Sequence, residues 1–121
     1  MGKRILIIDD ETDVVMMLMY RLKASRYEVI MAATGKEGIQ KAETQRPDLI
    51  LLDYKLPDIS SAAIVERLKF SSQLASVPVI LITASVEEIA EKAKECKASD
   101  YIAKPIGPEE LIRKVKAQLG E

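Results

Sequence analysis

The chain has 121 residues, 48% of them hydrophobic and 31% charged, which suits one compact domain over 1–121 and leaves no room for a second. Lys and Arg total 18 against 19 Asp and Glu, a formal charge of -1, so no basic field exists to hold nucleic acid or an anionic membrane surface. The apolar runs are short and end in charged residues, as Ile5 to Ile8 does before Asp9, so neither a transmembrane span nor a signal peptide is expected and the location is expected to be cytoplasmic. Cys96 is the single cysteine; it can form no internal disulfide, lacks the companions of a zinc site, and reads as a small core residue.

From the N-terminus, the aliphatic run 4–8 predicts a first strand, and Val14, Val15, Leu18 and Leu22 mark the apolar face of a first helix. On that helix Met16, Met17 and Met19 cannot all face the core, so at least one is expected at the surface. Residues 27–32 predict a second strand. A helix follows on Gly35, Gly38, Ile39 and Ala42, and Thr34 can cap it. The third strand, 49–52, leads to a helix marked by Ile64, Val65 and Leu68, and the fourth, 79–82, to one marked by Val86, Ile89, Ala90 and Ala93. After the fifth strand, 101–103, a last helix carries Leu111, Ile112, Val115 and Leu119, with Pro108 in its first turn. Strands one, three and four lack polar alternation, as strands covered on both faces do. Strict alternation with right-handed crossovers gives an α/β fold: a single doubly wound (βα)5 domain, its five-stranded parallel sheet in the order 2-1-3-4-5 with helices on both faces.

In such a sheet the ligand site lies at the carboxyl ends of the strands, where strands one and three diverge. Strand one ends in Asp9-Asp10, strand three in Asp53, strand four in Thr83, and strand five in Lys104-Pro105. Three carboxylates so close cannot all stay ionised without a counter-charge. A hard divalent cation answers this, and Mg2+ accepts one or two carboxylates together with waters and a phosphate oxygen. Lys104 adds a fixed positive charge. The grouping suits phosphoryl transfer to a carboxylate, with Asp53 attacking in line while the cation, Lys104 and the Thr83 hydroxyl meet the equatorial oxygens. The chain has no histidine, so the donor is external. Taken singly, Asp10 and Thr83 also read as helix caps and Lys104 as a solvated lysine; together those readings need three independent accidents on the rim that also carries Asp53.

Ile7-Ile8-Asp9-Asp10-Glu11, Asp48-Leu49-Ile50-Leu51-Leu52-Asp53, Leu56-Pro57, Ile82-Thr83-Ala84 and Asp100-Tyr101-Ile102-Ala103-Lys104-Pro105 together resemble the signature of response-regulator receiver domains, over the whole chain. That resemblance implies Mg2+ (or Mn2+) bound by Asp10, Asp53 and the backbone carbonyl of Lys55, with Asp9 reaching it directly or through water. It implies Asp53 as phosphoacceptor, with Thr83, the backbone N–H of Ala84, and Lys104 holding the phosphoryl group. Tyr101 matches the aromatic switch, the Lys104–Pro105 bond is expected cis, and Lys55 and Ser85 flank the path of an attacking water, where Lys55 is expected to shield the phosphorus. The implied donor is a histidine kinase or histidine phosphotransfer protein, docking on Asp13, Val14, Met17, Pro105 and Ile106. The implied reader of the helix 4 to strand 5 surface is a downstream effector protein or output domain. Such a domain is a signalling switch that catalyses only its own phosphorylation and dephosphorylation.

Two departures from the pattern stand out: Ser60-Ser61 where a glycine is common after strand three, and Lys97 where a glycine often closes helix four. Two other functions are weighed. A haloacid-dehalogenase-type phosphatase also uses Asp, Thr, Lys and Mg2+, but its nucleophile opens a DxD motif after the first strand, whereas the acids here are adjacent and no cap domain fits. Against a receiver fold serving only as an interaction module, without phosphorylation, stands the intact set of Asp10, Asp53, Thr83 and Lys104, since a domain freed from the chemistry has no need of buried like charges.

Overall fold

The computed structural model describes residues 2–84 and 89–121, and within them the strands and helices alternate throughout. The elements are β1 (Arg4–Ile8), α1 (Thr12–Ala24), β2 (Glu28–Ala32), α2 (Gly35–Gln45), β3 (Leu49–Asp53), α3 (Ser61–Lys69), β4 (Val79–Thr83), α4 (Ile89–Glu95), β5 (Asp100–Ala103) and α5 (Pro108–Leu119). The strands form one parallel sheet in the order β2-β1-β3-β4-β5. The expected fold is the observed one. Val86, expected on the fourth helix, lies outside the described residues.

The absence of polar alternation in β1, β3 and β4 has its counterpart in burial on both faces. Leu6, Ile8, Ile50, Leu52 and Leu81 pack with α2, α3 and α4, while Ile5, Ile7, Leu49, Leu51, Ile80 and Ile82 pack with α1 and α5. Cys96 is buried in the first of these cores, as its reading predicts. Of the three methionines Met16 is exposed, and Met17 and Met19 are half-buried against the second core.

Local chemistry sets the helix ends. Thr34 accepts a hydrogen bond from the Glu37 N–H at 3.1 Å and so caps α2, and Ser60 accepts from Ala63 N–H at 3.2 Å and caps α3. At the end of α4 the N–H of Ala98 reaches the Ala93 carbonyl and that of Lys97 the Lys94 carbonyl, a Schellman closure that puts Lys97 at φ 58°. Arg26 closes α1 in the same way at φ 70°. A side chain in this left-handed region crowds its own backbone. Lys97→Gly is therefore expected to stabilise the fold by about 0.5–1 kcal/mol, after the greater freedom of glycine in the unfolded chain is subtracted. The measurement is the urea midpoint at unchanged m-value; an unmoved midpoint would mean the turn carries no strain.

Candidate functional site

Because β1 and β3 lie side by side and the helices that follow them, α1 and α3, pack on opposite faces, the C-terminal ends of the two strands share one rim. Ile8 pairs with Leu52, which brings Asp9 beside Asp53. Both aspartates are buried, at 2% and 4% exposure, while Asp10 faces solvent. Asp9, Asp10 and Asp53 each offer one oxygen within 4.8 Å of the others. Lys104 enters from β5 with its backbone N–H on the Thr83 carbonyl at 2.9 Å, across a cis Lys104–Pro105 peptide. Its ammonium stands 3.7 Å from Asp53 Oδ1 and 3.8 Å from Asp9 Oδ2, and hydrogen-bonds to Glu11 Oε1.

The remaining expected residues fall at graded distances from this cluster. Thr83 ends β4, is buried, and pairs in register with Ala103, next to Lys104; Ala84 follows it and is exposed. Lys55 is exposed, and its backbone N–H lies 3.4 Å from Asp53 Oδ1. Tyr101 lies two residues earlier on β5 than Ala103, opposite Leu81, half-buried. The Lys114 ammonium sits 4.7 Å from its ring centre and also donates to the Tyr101 carbonyl. Ser85 lies outside the described residues.

Three further side chains shape the rim, and sequence reasoning gave none of them a role. The buried Ser61 hydroxyl lies 3.0 Å from the Asp53 carbonyl and 2.8 Å from that of Tyr54, tying the first turn of α3 to the end of β3. Asp58 accepts from the N–H groups of Gly35 and Lys36 at 2.8 and 2.9 Å, fastening the β3–α3 loop to the start of α2, and those hydrogen bonds hold its carboxyl below the usual range. Glu11 is the hydrogen-bond partner of Lys104. A serine in place of the expected glycine was the one visible signal for Ser61, and it read only as a change of backbone.

Burial dominates the electrostatics. It raises the Asp53 carboxyl to about 6, with the charge of Asp9 adding to the rise and Lys104 opposing it. Asp9 is raised as well, by burial first, against the pull of the Glu11 N–H and of Lys104. For Lys104 burial acts downward, yet the Glu11 hydrogen bond and the charges of Asp53 and Asp9 outweigh it and leave the ammonium raised. Asp9 Oδ2 is buried with no hydrogen-bond partner among the described residues. An orphaned carboxylate oxygen beside two more oxygens suits a hard divalent cation, since ligation would supply the partner that the protein does not.

A parallel sheet carrying acids at its switch point and a lysine from the last strand defines a flavodoxin-like α/β domain built around an anionic pocket. The sequence model of the family described as the response regulator receiver domain matches residues 5–116. The alkaline phosphatase synthesis transcriptional regulatory protein PhoP of Bacillus subtilis is 41% identical over 120 residues, covering 98% of this chain and 49% of that protein. The polar-differentiation response regulator DivK of Brucella anthropi is 33% identical and covers 100% of this chain and 99% of its own length. Among solved structures, the receiver domain of the sensor histidine kinase PA1611 from Pseudomonas aeruginosa, with a magnesium ion coordinated in its active site cleft, superposes with a TM-score of 0.92 at 28% identity and full coverage of both chains. The chain belongs to the response regulator receiver domain family and is a signalling domain. It spans about half the length of PhoP and of other curated relatives it matches. Among the described residues no helix is long and apolar enough to cross a membrane.

Proposed function

We propose that the domain accepts a phosphoryl group on Asp53 from a phosphohistidine of a histidine kinase or phosphotransfer protein, in a Mg2+-dependent (or Mn2+-dependent) reaction in the cytoplasm. The observation that carries this reading is a buried Asp53 with the Lys104 ammonium 3.7 Å from one of its oxygens, beside an Asp9 oxygen that has no hydrogen bond among the described residues. Asp9, Asp10, Asp53 and the Lys55 carbonyl would hold the cation. Bound there, it supplies positive charge to the carboxylates and to the phosphoryl oxygens.

With its pKa at about 6, Asp53 is largely ionised at neutral pH and able to attack phosphorus. The O–P bond forms as the P–N bond of the donor breaks. Lys104 leaves its carboxylate partners for the incoming oxygens, and the Thr83 hydroxyl and the Ala84 N–H donate to them. Movement of Thr83 toward the phosphoryl group opens space for Tyr101 to turn inward, which alters the α4–β5 surface that an effector protein or output domain reads. The half-buried Val14, Met17 and Ile106, with exposed Asp13 and Pro105, offer the donor protein an apolar landing beside the acidic rim.

Incubation with acetyl phosphate and Mg2+ is expected to give one phosphoryl adduct by mass spectrometry, on the peptide carrying Asp53, and none in Asp53→Asn. An adduct on another residue, or sustained turnover of a phosphomonoester, would overturn the assignment.

A further inference from the structure

Lys104 faces three carboxylates and bonds to the most exposed of them. Its side chain is 14% exposed, the Glu11 side chain 57%, and those of Asp9 and Asp53 only 1% and 5%. The two buried partners stand at 3.8 and 3.7 Å, beyond hydrogen-bond length, although one of the oxygens, Asp9 Oδ2, has no hydrogen bond among the described residues. An unrestrained ammonium would close on them. At an effective dielectric of about 20, drawing in from 3.7 Å to about 2.8 Å favours the closed pair by roughly tenfold. The ammonium bonds instead to Glu11 Oε1, and Glu11 is fixed at the start of α1: its N–H donates to Asp9 Oδ1 at 2.9 Å, and its carbonyl accepts from Val15 N–H at 3.0 Å.

We propose that Glu11 is a positioning residue that parks the Lys104 ammonium and thereby keeps the oxygens of Asp9 and Asp53 open to a divalent cation. Rivalry between lysine and metal is built into any pocket that holds both, because each neutralises the same carboxylates. Glu11 resolves it with a third carboxylate placed on the solvent side, where pairing demands little desolvation. Once Asp53 carries a phosphoryl group, the ammonium has a more highly charged partner within reach and leaves Glu11. The proposal rests on the reading of the site as a cation site.

The experiment is calorimetric titration of Mg2+ into the unphosphorylated protein, in four forms: wild type, Glu11→Gln, Lys104→Met and the double variant. Glu11→Gln is expected to weaken Mg2+ binding by about fivefold to tenfold, because the released lysine closes on the ligands. Lys104→Met is expected to tighten it, and in that background Glu11→Gln is expected to change affinity by less than about twofold. Equal weakening in both backgrounds would make Glu11 a direct partner of the ion and overturn the proposal, as would an unchanged affinity in Glu11→Gln. Wild-type protein that bound no Mg2+ would overturn the site reading itself, a result visible before any variant is compared. Should Lys104→Met fail to fold, Lys104→Gln serves as the background, and Glu11→Asp, too short to hold the ammonium in place, is expected to behave as Glu11→Gln does.

Discussion

Asp53→Asn is expected to unfold at a higher urea concentration than the wild-type domain when Mg2+ is absent, with a gain on the order of 2 kcal/mol at about pH 7. The carboxyl stands at about 6 in the fold against 3.8 in a model peptide, first because it is buried and then because Asp9 is charged beside it. Below 3.8 the group is protonated in both folded and unfolded chains, and it contributes no pH dependence there. Between 3.8 and about 6 the folded chain binds more protons than the unfolded one, so stability falls as pH rises, and above that window the full loss is in place. An asparagine carries no such term. The gap between variant and wild type should therefore be small under acid conditions, widen through the window and level off above it. Loss of the Lys104 contact to Asp53 opposes the gain only weakly, since the ammonium keeps Glu11 and the charge of Asp9.

Mg2+ should close the gap from the other side. A ligand that binds only the folded state at a hundredfold excess over its Kd adds about 2.7 kcal/mol. Wild type is expected to gain that increment and Asp53→Asn, short of one carboxylate, much less of it. If Asp53→Asn proved less stable than wild type without metal at neutral pH, the picture of a buried charge that Lys104 only partly compensates would be wrong.

The parts of the fold that could be read in the sequence are those set by local signals. Aliphatic runs placed all five strands, although β2 begins at Glu28, with Tyr27 left before it to hydrogen-bond Glu121 at 2.6 Å. Thr34 and Pro108 marked helix starts because capping involves neighbours in the chain. Asp9, Asp10, Asp53 and Lys104 could be placed on one rim because topology alone carries strand ends there. What escaped depends on side chains far apart in sequence or on backbone angles without a residue signature. The Glu11–Lys104 bond spans 93 positions, and Asp58 meets the α2 start across 22 and 23. Arg26 and Arg46 adopt φ of 70° and 45° although arginine has no preference for that region. Lys97 was legible only because the family resemblance puts a glycine there.

Gly38→Ala is expected to destabilise the domain by about 1–2 kcal/mol and Gly38→Val by about 3, despite the better helix propensity of alanine. A Cβ at Gly38 would meet Ile8 Cδ1 at 2.5 Å, Cγ1 at 2.8 Å and Cγ2 at 3.0 Å, so the helix lies directly against that side chain. Ile8 cannot give way easily. It is fully buried, sits on β1 between β2 and β3, and is stiff at χ1 because it branches at Cβ. Alanine in a helix gains about 1 kcal/mol over glycine, which the overpacking outweighs; valine adds volume and forfeits most of that gain. Ile8→Val removes the Cδ1 atom at 2.5 Å, so the cost of Gly38→Ala should shrink in that background, and urea unfolding of the four proteins measures the coupling. The clash also bears on the site, because Ile8 is followed by Asp9. In folded Gly38→Ala, Mg2+ affinity is expected to fall as the end of β1 is displaced, and to recover when Ile8→Val makes room. Stability of Gly38→Ala equal to or above wild type would show that α2 is not pinned by this contact.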